Sequence, residues 1–213
     1  TWNNISNMLT MLFKAETGRA LSDENLHFIA EKLFNQEFPY PFPEIFANDP
    51  VTFNTFCHQR NDRQLTFWEW FYLCFKVTKD CLREYWEDGF IEGFLSKKSL
   101  EKKLSSCKQG TFILRFSDSM KSSISVAFVT RSIDGKHLVN HLNPFGYEDL
   151  RKKGISERLN EFEELKTLFP SFEKKTIFKA VQRDERSIQN GYWAPIKSYR
   201  LPTYEESVSV TNY

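Results

Sequence analysis

The sequence predicts an α+β protein: an all-helical first domain, then a central antiparallel sheet flanked by helices, then an extended tail. Apolar residues recur every three or four positions through much of residues 1–95, which is typical of amphipathic helices. Apolar runs rich in β-branched and aromatic residues follow between 111 and 142 and predict strands. From residue 184 the chain becomes polar, with few aliphatic side chains. We therefore predict domains at 1–95 and 96–183 and a tail at 184–213.

Two amphipathic helices open the chain. In the first, Leu9, Leu12 and Phe13 share one face. In the second, residues 26–34 repeat the same apolar spacing, and Ser22 precedes them as a suitable N-terminal cap. Both helices therefore present one apolar side to a common core.

A proline-rich loop and a long aromatic helix complete the first domain. Pro39, Pro41 and Pro43 force an extended segment, because each proline also disfavours helical geometry in the residue before it. A helix from Thr66 to Trp86 then carries large rings on or near one side, which we interpret as core packing rather than a ligand site. These rings are Trp68, Trp70, Phe71, Phe75 and Trp86.

The second domain begins with a helix from Lys97 to Cys107 and continues as a sheet. The pair Asp134-Gly135 predicts a hairpin between the second and third strands. The predicted strands are Thr111 to Phe116, Ile124 to Arg131 and His137 to Leu142. Two helices are expected to follow, Ser156 to Phe169 and Glu173 to Gln182.

Composition and motifs argue against several functions. The formal net charge of +1 provides no strong field for nucleic acid or membrane, and no apolar run is long enough for a membrane span. Short basic runs at 151–153 and 174–175 are more simply solvated charges than a nucleic-acid site. We expect no metal and no cofactor, because the neighbours Cys57 and His58 have no third ligand at metal spacing. The cysteines show no CxxC spacing, so we expect reduced thiols of an intracellular protein; they are Cys57, Cys74, Cys81 and Cys107.

Catalysis also finds no support in the sequence. None of the cysteines is followed at close range by an arginine in a phosphate-cradling loop, as a cysteine phosphatase requires. Neither GxGxxG nor GxxxxGK is present, which argues against a nucleotide-phosphate loop. We therefore expect a binding module and not an enzyme.

The most informative segment is GTFILRFSDS, an apolar strand that contains Arg115 and leads into a hydroxyl-rich turn. An unpaired guanidinium among apolar residues is costly, so Arg115 needs an anion. Ser117 and Ser119 supply hydroxyl donors, and the turn at Asp118 offers backbone N–H groups. This combination suits a dianionic phosphate. The alternative is an arginine that is satisfied by a structural carboxylate.

GTFILRFSDS resembles the phosphate-binding strand and loop of a Src-homology-2 (SH2) domain, in the form found in STAT proteins, the signal transducers and activators of transcription. Upstream, MLFKAETG and LSDENLHFIAEKLF resemble the start of a STAT linker domain, and TFWEWF with the segment up to GFLSK resembles its end. Downstream, NGYWAPIK resembles the tail segment that carries the activating tyrosine. The resemblance thus covers nearly the whole chain in the family's order.

The resemblance implies a phosphotyrosine-binding site. Its residues would be Arg115, Lys97, Ser117, Asp118 and Ser119, with Lys98 as the alternative to Lys97. Asp118 would contribute its backbone N–H and the loop geometry, since a carboxylate cannot donate. Other SH2 domains place a histidine near the phosphotyrosine ring; STAT domains depart from that pattern, so neither His137 nor His141 is assigned.

The resemblance also implies partners and location. Tyr192 would be phosphorylated by a tyrosine kinase and bound by the SH2 domain of a second copy, giving a reciprocal homodimer. The SH2 domain would also bind phosphotyrosyl peptides of receptors or kinases. The protein would be cytoplasmic and move to the nucleus on activation, with DNA bound only through a preceding domain that is absent from this chain. The alternatives are a monomeric phosphotyrosine adaptor and a helical scaffold with a vestigial SH2 domain.

Overall fold

The computed structural model describes residues 1–57, 65–118 and 120–179. The first half is helical, as predicted, and the second half combines helices with a sheet. The helices are α1 (Trp2–Thr17), α2 (Asp23–Phe34), α3 (Phe53–Cys57), α4 (Phe67–Val77), α5 (Arg83–Glu87), α6 (Lys97–Leu104), α7 (Tyr147–Lys152), α8 (Ile155–Asn160) and α9 (Lys174–Ile177). The strands are β1 (Thr111–Phe116), β2 (Ser123–Arg131), β3 (His137–His141), β4 (Phe145–Gly146), β5 (Thr167–Leu168) and β6 (Phe172–Glu173).

Side chains cap the N-termini of α2 and α4 at the positions where the sequence predicts that helices start. Ser22 accepts a hydrogen bond from the backbone N–H of Asn25, which confirms the predicted start of α2. Thr66 and Glu69 form a reciprocal capping box at α4. The predicted helix from Thr66 to Trp86 is not uniform, because a π-helical turn separates α4 from α5.

The rings of α4 and α5 form the core of the first half, as predicted. Trp70, Phe71, Phe75 and Trp86 are buried, whereas Trp68 is half-buried. The interpretation of these rings as packing residues is therefore confirmed. None of the helices within residues 1–57, 65–118 and 120–179 has the length and apolar character needed to cross a membrane.

The sheet has the order β3-β2-β1-β5-β6, and β4 pairs with the other end of β2. Strands β1, β2 and β3 are antiparallel, and β2 and β3 form the predicted hairpin. Strand β5 instead runs parallel to β1, so the sheet is mixed. The edge of β1 that faces away from β2 has two partners. Strand β5 pairs with its first half, and the segment around Gly93 pairs with its second half.

The predicted helix from Ser156 to Phe169 is present only up to Asn160 and is wrong beyond it. Helix α8 ends at Asn160, and the chain then turns and forms β5. The backbone N–H groups of Lys166 and Thr167 both donate to the carbonyl of Gly110, which extends the sheet at the edge of β1. The buried ammonium of Lys174 donates to the carbonyls of Leu159 and Phe162, so these groups have partners where the helix stops.

Other predicted boundaries shift by smaller amounts. Helix α6 ends at Leu104 rather than Cys107, and α9 covers only Lys174–Ile177 of the predicted Glu173 to Gln182. The part of that helix from residue 180 onward lies outside the described residues. Helix α7 was not predicted; it follows β4, and its N-cap is Gly146, whose N–H donates to the Asp149 carboxylate.

One hydrophobic core joins the helical half to the sheet. Phe116 of β1 lies 4.6 Å from Phe94 and 5.9 Å from Trp86, measured between ring centroids. The buried amide of Asn25 in α2 donates to the carbonyls of Glu92 and Phe94 at 2.8 and 3.1 Å. Strand β1, which contains Arg115, is therefore packed directly against the helical half, and the segment 92–94 that pairs with its edge is bonded to α2.

Candidate functional site

Arg115 lies near the C-terminal end of the fully buried strand β1 and is itself only 7% exposed. Side chains alternate along β1, so Arg115 and Ile113 occupy one face and Phe112, Leu114 and Phe116 the other. The aromatic face joins the core of the helical half, while Ile113 packs in a separate cluster beneath α6. The guanidinium thus lies on the α6 side of the sheet, next to an apolar cluster.

The guanidinium is positioned mainly by backbone carbonyls. Its Nη1 donates to the carbonyls of Leu95 at 3.3 Å and Phe116 at 3.2 Å. Its closest carboxylate oxygen, Oδ2 of Asp118, lies 3.5 Å from Nη1. The buried Nε has no hydrogen-bond partner among the described residues. A buried donor without a partner is costly, so among the described residues this nitrogen is left to pair with an anion other than the Asp118 carboxylate.

The loop after β1 is closed by its own hydroxyl groups. Ser117 is buried; its N–H donates to the carbonyl of Ser123 at 3.0 Å, and its Oγ accepts from the N–H of Met120 at 3.2 Å. Ser123 Oγ donates to the Met120 carbonyl at 2.8 Å. These bonds fix the course of the loop that brings the Asp118 carboxylate to Arg115. Ser119 lies outside the described residues.

Lys97 begins α6, where Ser96 caps the helix by accepting from the N–H of Ser99 at 3.0 Å. The Lys97 side chain is 68% exposed, and its Nζ lies 3.8 Å from Oε1 of Glu101. At this distance the ion pair is weak, so the ammonium can turn toward an anion at little cost. The competing candidate Lys98 is also exposed.

The positive charges of Arg115 and Lys97 both act on His141. It lies on the edge strand β3, and partial desolvation lowers the pKa of its imidazole, with further lowering by the positive charges of Arg115 and Lys97. Both charges therefore act on the space around the His141 imidazole. A positive field of this kind attracts a dianion and repels a proton from His141.

Sequence reasoning did not assign Ser125 and His141 to this site. Arg115 is directly opposite the buried Ser125, and Ala127 is opposite His141, so all of these side chains share one face of the sheet. Strand register was the signal that could have found them. The pairing of β1 with β2 places Ser125, and the hairpin at Asp134-Gly135, which fixes which residues of β2 and β3 face each other, places His141.

The site has no features of a metal centre. Among residues 1–57, 65–118 and 120–179, no group of three His, Cys, Asp or Glu side chains is arranged to hold a metal ion. The predicted phosphorylation site Tyr192 lies beyond the described residues, as does His58. What the described geometry provides is one buried cation, Arg115, and one exposed cation, Lys97, that both act electrostatically on His141.

Comparison with known proteins identifies two domains. Residues 1–71 match the protein-family model described as "Signal transducer and activator of transcription, linker domain". Residues 90–169 match the SH2 domain model. The predicted site residues Arg115, Lys97 and Asp118 all fall within the second match.

Curated relatives match both regions together. A "Signal transducer and transcription activator" of Anopheles gambiae is 35% identical over 178 residues, covering 83% of this chain and 24% of that protein. "Signal transducer and activator of transcription 1" of Caenorhabditis elegans is 32% identical over 202 residues, 92% of this chain and 28% of that protein. "Signal transducer and activator of transcription 6" of Homo sapiens is 34% identical over 193 residues, 89% of this chain and 23% of that protein. The chain thus spans about a quarter of the length of these relatives.

Proposed function

Because this chain belongs to the STAT family, with a STAT linker domain and an SH2 domain, we propose that it binds phosphotyrosyl peptides through the pocket around Arg115. The observation that carries the proposal is the buried guanidinium of Arg115, whose Nε lacks a partner among the described residues. We infer that the chain acts as a binding and signalling module and not as an enzyme.

In this proposal the phosphate binds beside Arg115, whose Nε has no hydrogen-bond partner among the described residues. A phosphotyrosine carries a charge of about −1.5 to −2 and three acceptor oxygens. Two of these oxygens can accept from the guanidinium fork, which a neutral tyrosine hydroxyl cannot imitate. Lys97 supplies a second cation from α6, and Ser117 and Ser119 supply hydroxyl groups of the loop. Discrimination between phosphorylated and unphosphorylated peptides therefore rests on charge.

A titration with matched peptides tests this proposal. Residues 187–198 of the chain, synthesised with and without phosphate on Tyr192, are titrated with the protein by fluorescence anisotropy; competition by free phosphotyrosine gives a readout independent of sequence. We expect Arg115→Ala to weaken binding of the phosphorylated peptide by about 10²–10³-fold, because a buried charge pair is lost. Arg115→Lys should fail nearly as badly, since an ammonium cannot form the bidentate contact.

The control is Arg131→Ala. Arg131 is exposed at the end of β2, where its Nη1 donates to the carbonyl of Gly135. This variant removes an arginine from the same sheet without changing the pocket and should bind like wild type. Wild-type affinity in Arg115→Ala would refute the proposed site.

We further propose that phosphorylated Tyr192 is bound by the pocket of a second copy, which gives a reciprocal homodimer. Gly191 leaves the backbone free before Tyr192, and the Ala194-Pro195 pair after it favours an extended peptide. Two identical contacts make the second one intramolecular, so the dimer should bind more tightly than the free peptide by ~10²-fold or more. The tyrosine kinase, the receptor peptides and the passage from cytoplasm to nucleus belong to this same proposal.

The second candidate function is a monomeric phosphotyrosine adaptor. The molecular mass of the phosphorylated protein in solution distinguishes it from the reciprocal homodimer. Sedimentation of the phosphorylated protein should show a dimer for wild type and a monomer for both Tyr192→Phe and Arg115→Ala. A phosphorylated wild-type protein that remains monomeric at micromolar concentration while binding the peptide would favour the adaptor.

A further inference from the structure

The loop that follows β1 is held by the linker half of the chain as well as by the sheet. Ser122, which adopts a left-handed backbone conformation with φ of 47°, donates from its Oγ to the carbonyl of Leu73 in α4 at 3.2 Å. Asp118 makes a second connection, because its Oδ1 lies 3.3 Å from Nζ of Lys32 in α2. The same carboxylate has its Oδ2 3.5 Å from Nη1 of Arg115. One carboxylate is thus shared between a cation of the linker and the cation of the pocket.

The Lys32 side chain is largely enclosed. It is 15% exposed, and its ammonium lies 4.7 Å from the ring centroid of the buried Phe28. The Asp118 side chain is 23% exposed. A pair enclosed to this degree is screened less by water and salt than a surface pair, so its charges act on the neighbouring guanidinium.

The charges of Lys32 and Asp118 influence how readily Arg115 can bind an anion. Lys32 and Arg115 together carry one positive charge more than Asp118 neutralises. Without Lys32, the carboxylate would neutralise Arg115, and it would be left as an uncompensated negative group once Arg115 turned to a phosphate. With Lys32 present, Asp118 can release Arg115 to the phosphate and keep a cationic partner.

We propose that Lys32 is a positioning residue of the phosphotyrosine pocket, which holds the Asp118 carboxylate on the linker side and leaves Arg115 available to the phosphate. This inference rests on the proposed function of the pocket. It makes the linker domain part of the binding site, although the linker contributes no atom to the phosphate contact. The ligand is still a phosphotyrosyl peptide, but its affinity depends on a linker residue as well as on the residues of the SH2 domain.

The test is a double-mutant cycle in the full chain, with the phosphorylated 187–198 peptide as the probe. Lys32→Met should weaken binding on the order of tenfold, within the range of coupling found for contacting charges. Lys32→Arg should retain most of the affinity, because it keeps the cation. In an Asp118→Asn background, Lys32→Met should change affinity less than about twofold, since the carboxylate that Lys32 neutralises is gone. A merely structural role of Lys32 would give the same loss in both backgrounds.

The matched control is Lys79→Met. Lys79 forms an ion pair with Glu16 at 2.5 Å, and both side chains are exposed on the linker, so loss of the Lys79 ammonium should leave peptide affinity unchanged. Unfolding curves of each variant establish that it is folded, and Lys32→Gln takes the place of Lys32→Met if the latter does not fold.

The outcomes separate the two proposals. If wild type does not distinguish the phosphorylated from the unphosphorylated peptide, the proposed function is refuted, and this inference with it. If wild type does distinguish them but Lys32→Met binds equally well, or loses equal affinity with and without the Asp118 carboxylate, only the role of Lys32 is refuted.

Discussion

Truncation of Trp86 tests whether the linker helices and the sheet are one folding unit. Trp86 is completely buried in α5, and its ring centroid lies 5.3 Å from that of Phe13 in α1 and 5.9 Å from that of Phe116 in β1. The guanidinium of Arg19 lies 3.8 Å from the ring centroid, and the indole Nε1 donates to the Arg19 carbonyl at 3.0 Å. The side chain therefore makes three kinds of contact, and its ring contact with Phe116 is the one that reaches the sheet.

The expected cost of Trp86→Ala follows from these contacts. Removing a buried tryptophan side chain costs ~3–5 kcal/mol through lost transfer energy and the remaining cavity. The Arg19 carbonyl loses its donor, which adds about 1 kcal/mol. Burial already lowers the pKa of Arg19 to about 10, so loss of the aromatic face leaves a desolvated cation less well compensated, at ~0.5–2 kcal/mol. We expect a total of at least ~4 kcal/mol, a large part of the ~5–15 kcal/mol that stabilises a typical domain.

Urea unfolding provides the assay, with circular dichroism and tryptophan fluorescence as independent probes. Both probes should give one coincident transition in wild type, and Trp86→Ala should shift that transition as a whole. The control is Trp68→Ala, because Trp68 is only half-buried and stacks on Phe56; it should cost about 1–2 kcal/mol. A loss below ~1 kcal/mol for Trp86→Ala, or a second transition that the substitution leaves in place, would refute a shared core.

Three further predictions concern single positions. Gly93→Ala should lower the free energy of unfolding by at least ~2 kcal/mol, because φ is +83° and the new Cβ would lie 2.6 Å from the Trp86 ring; a wild-type urea midpoint would contradict this. The pKa of His141 is lowered in the folded protein by partial desolvation and by the pocket's cations, so protonation favours the unfolded state. The free energy of unfolding should therefore fall as the pH drops below 6.5 toward the folded-state pKa, and His141→Gln should reduce this loss; equal pH profiles would exclude it. Thr66→Ala removes half of the capping box with Glu69 and should cost ~1 kcal/mol in urea unfolding, with no effect on peptide binding.

Local signals in the sequence were sufficient for elements that end at a cap or turn. Ser22 and the apolar spacing behind it predicted α2, and the apolar run from Thr111 to Phe116 predicted β1 with its bounds. These elements depend on interactions within a few residues, which a sequence displays directly. The same applies to Arg115, because a charge inside an apolar strand requires an anion wherever that strand lies.

The helix predicted from Ser156 to Phe169 failed for a reason that no local pattern contains. The apolar positions Leu159, Phe162 and Leu165 have helical spacing, yet the first half of β1 presents an edge whose backbone groups need partners. Strand β5 provides them, so pairing with a distant strand prevailed over local periodicity.

The sequence by itself determined that this protein has a helical half, a sheet and an arginine suited to a phosphate. Only the tertiary structure decided what surrounds that arginine. Strand register places Ser125 and His141 on its face, and the shared core brings Lys32 of α2 against Asp118. Such contacts join residues that are far apart in the chain, and their distances are set by the packing of whole elements rather than by the residues nearest in sequence.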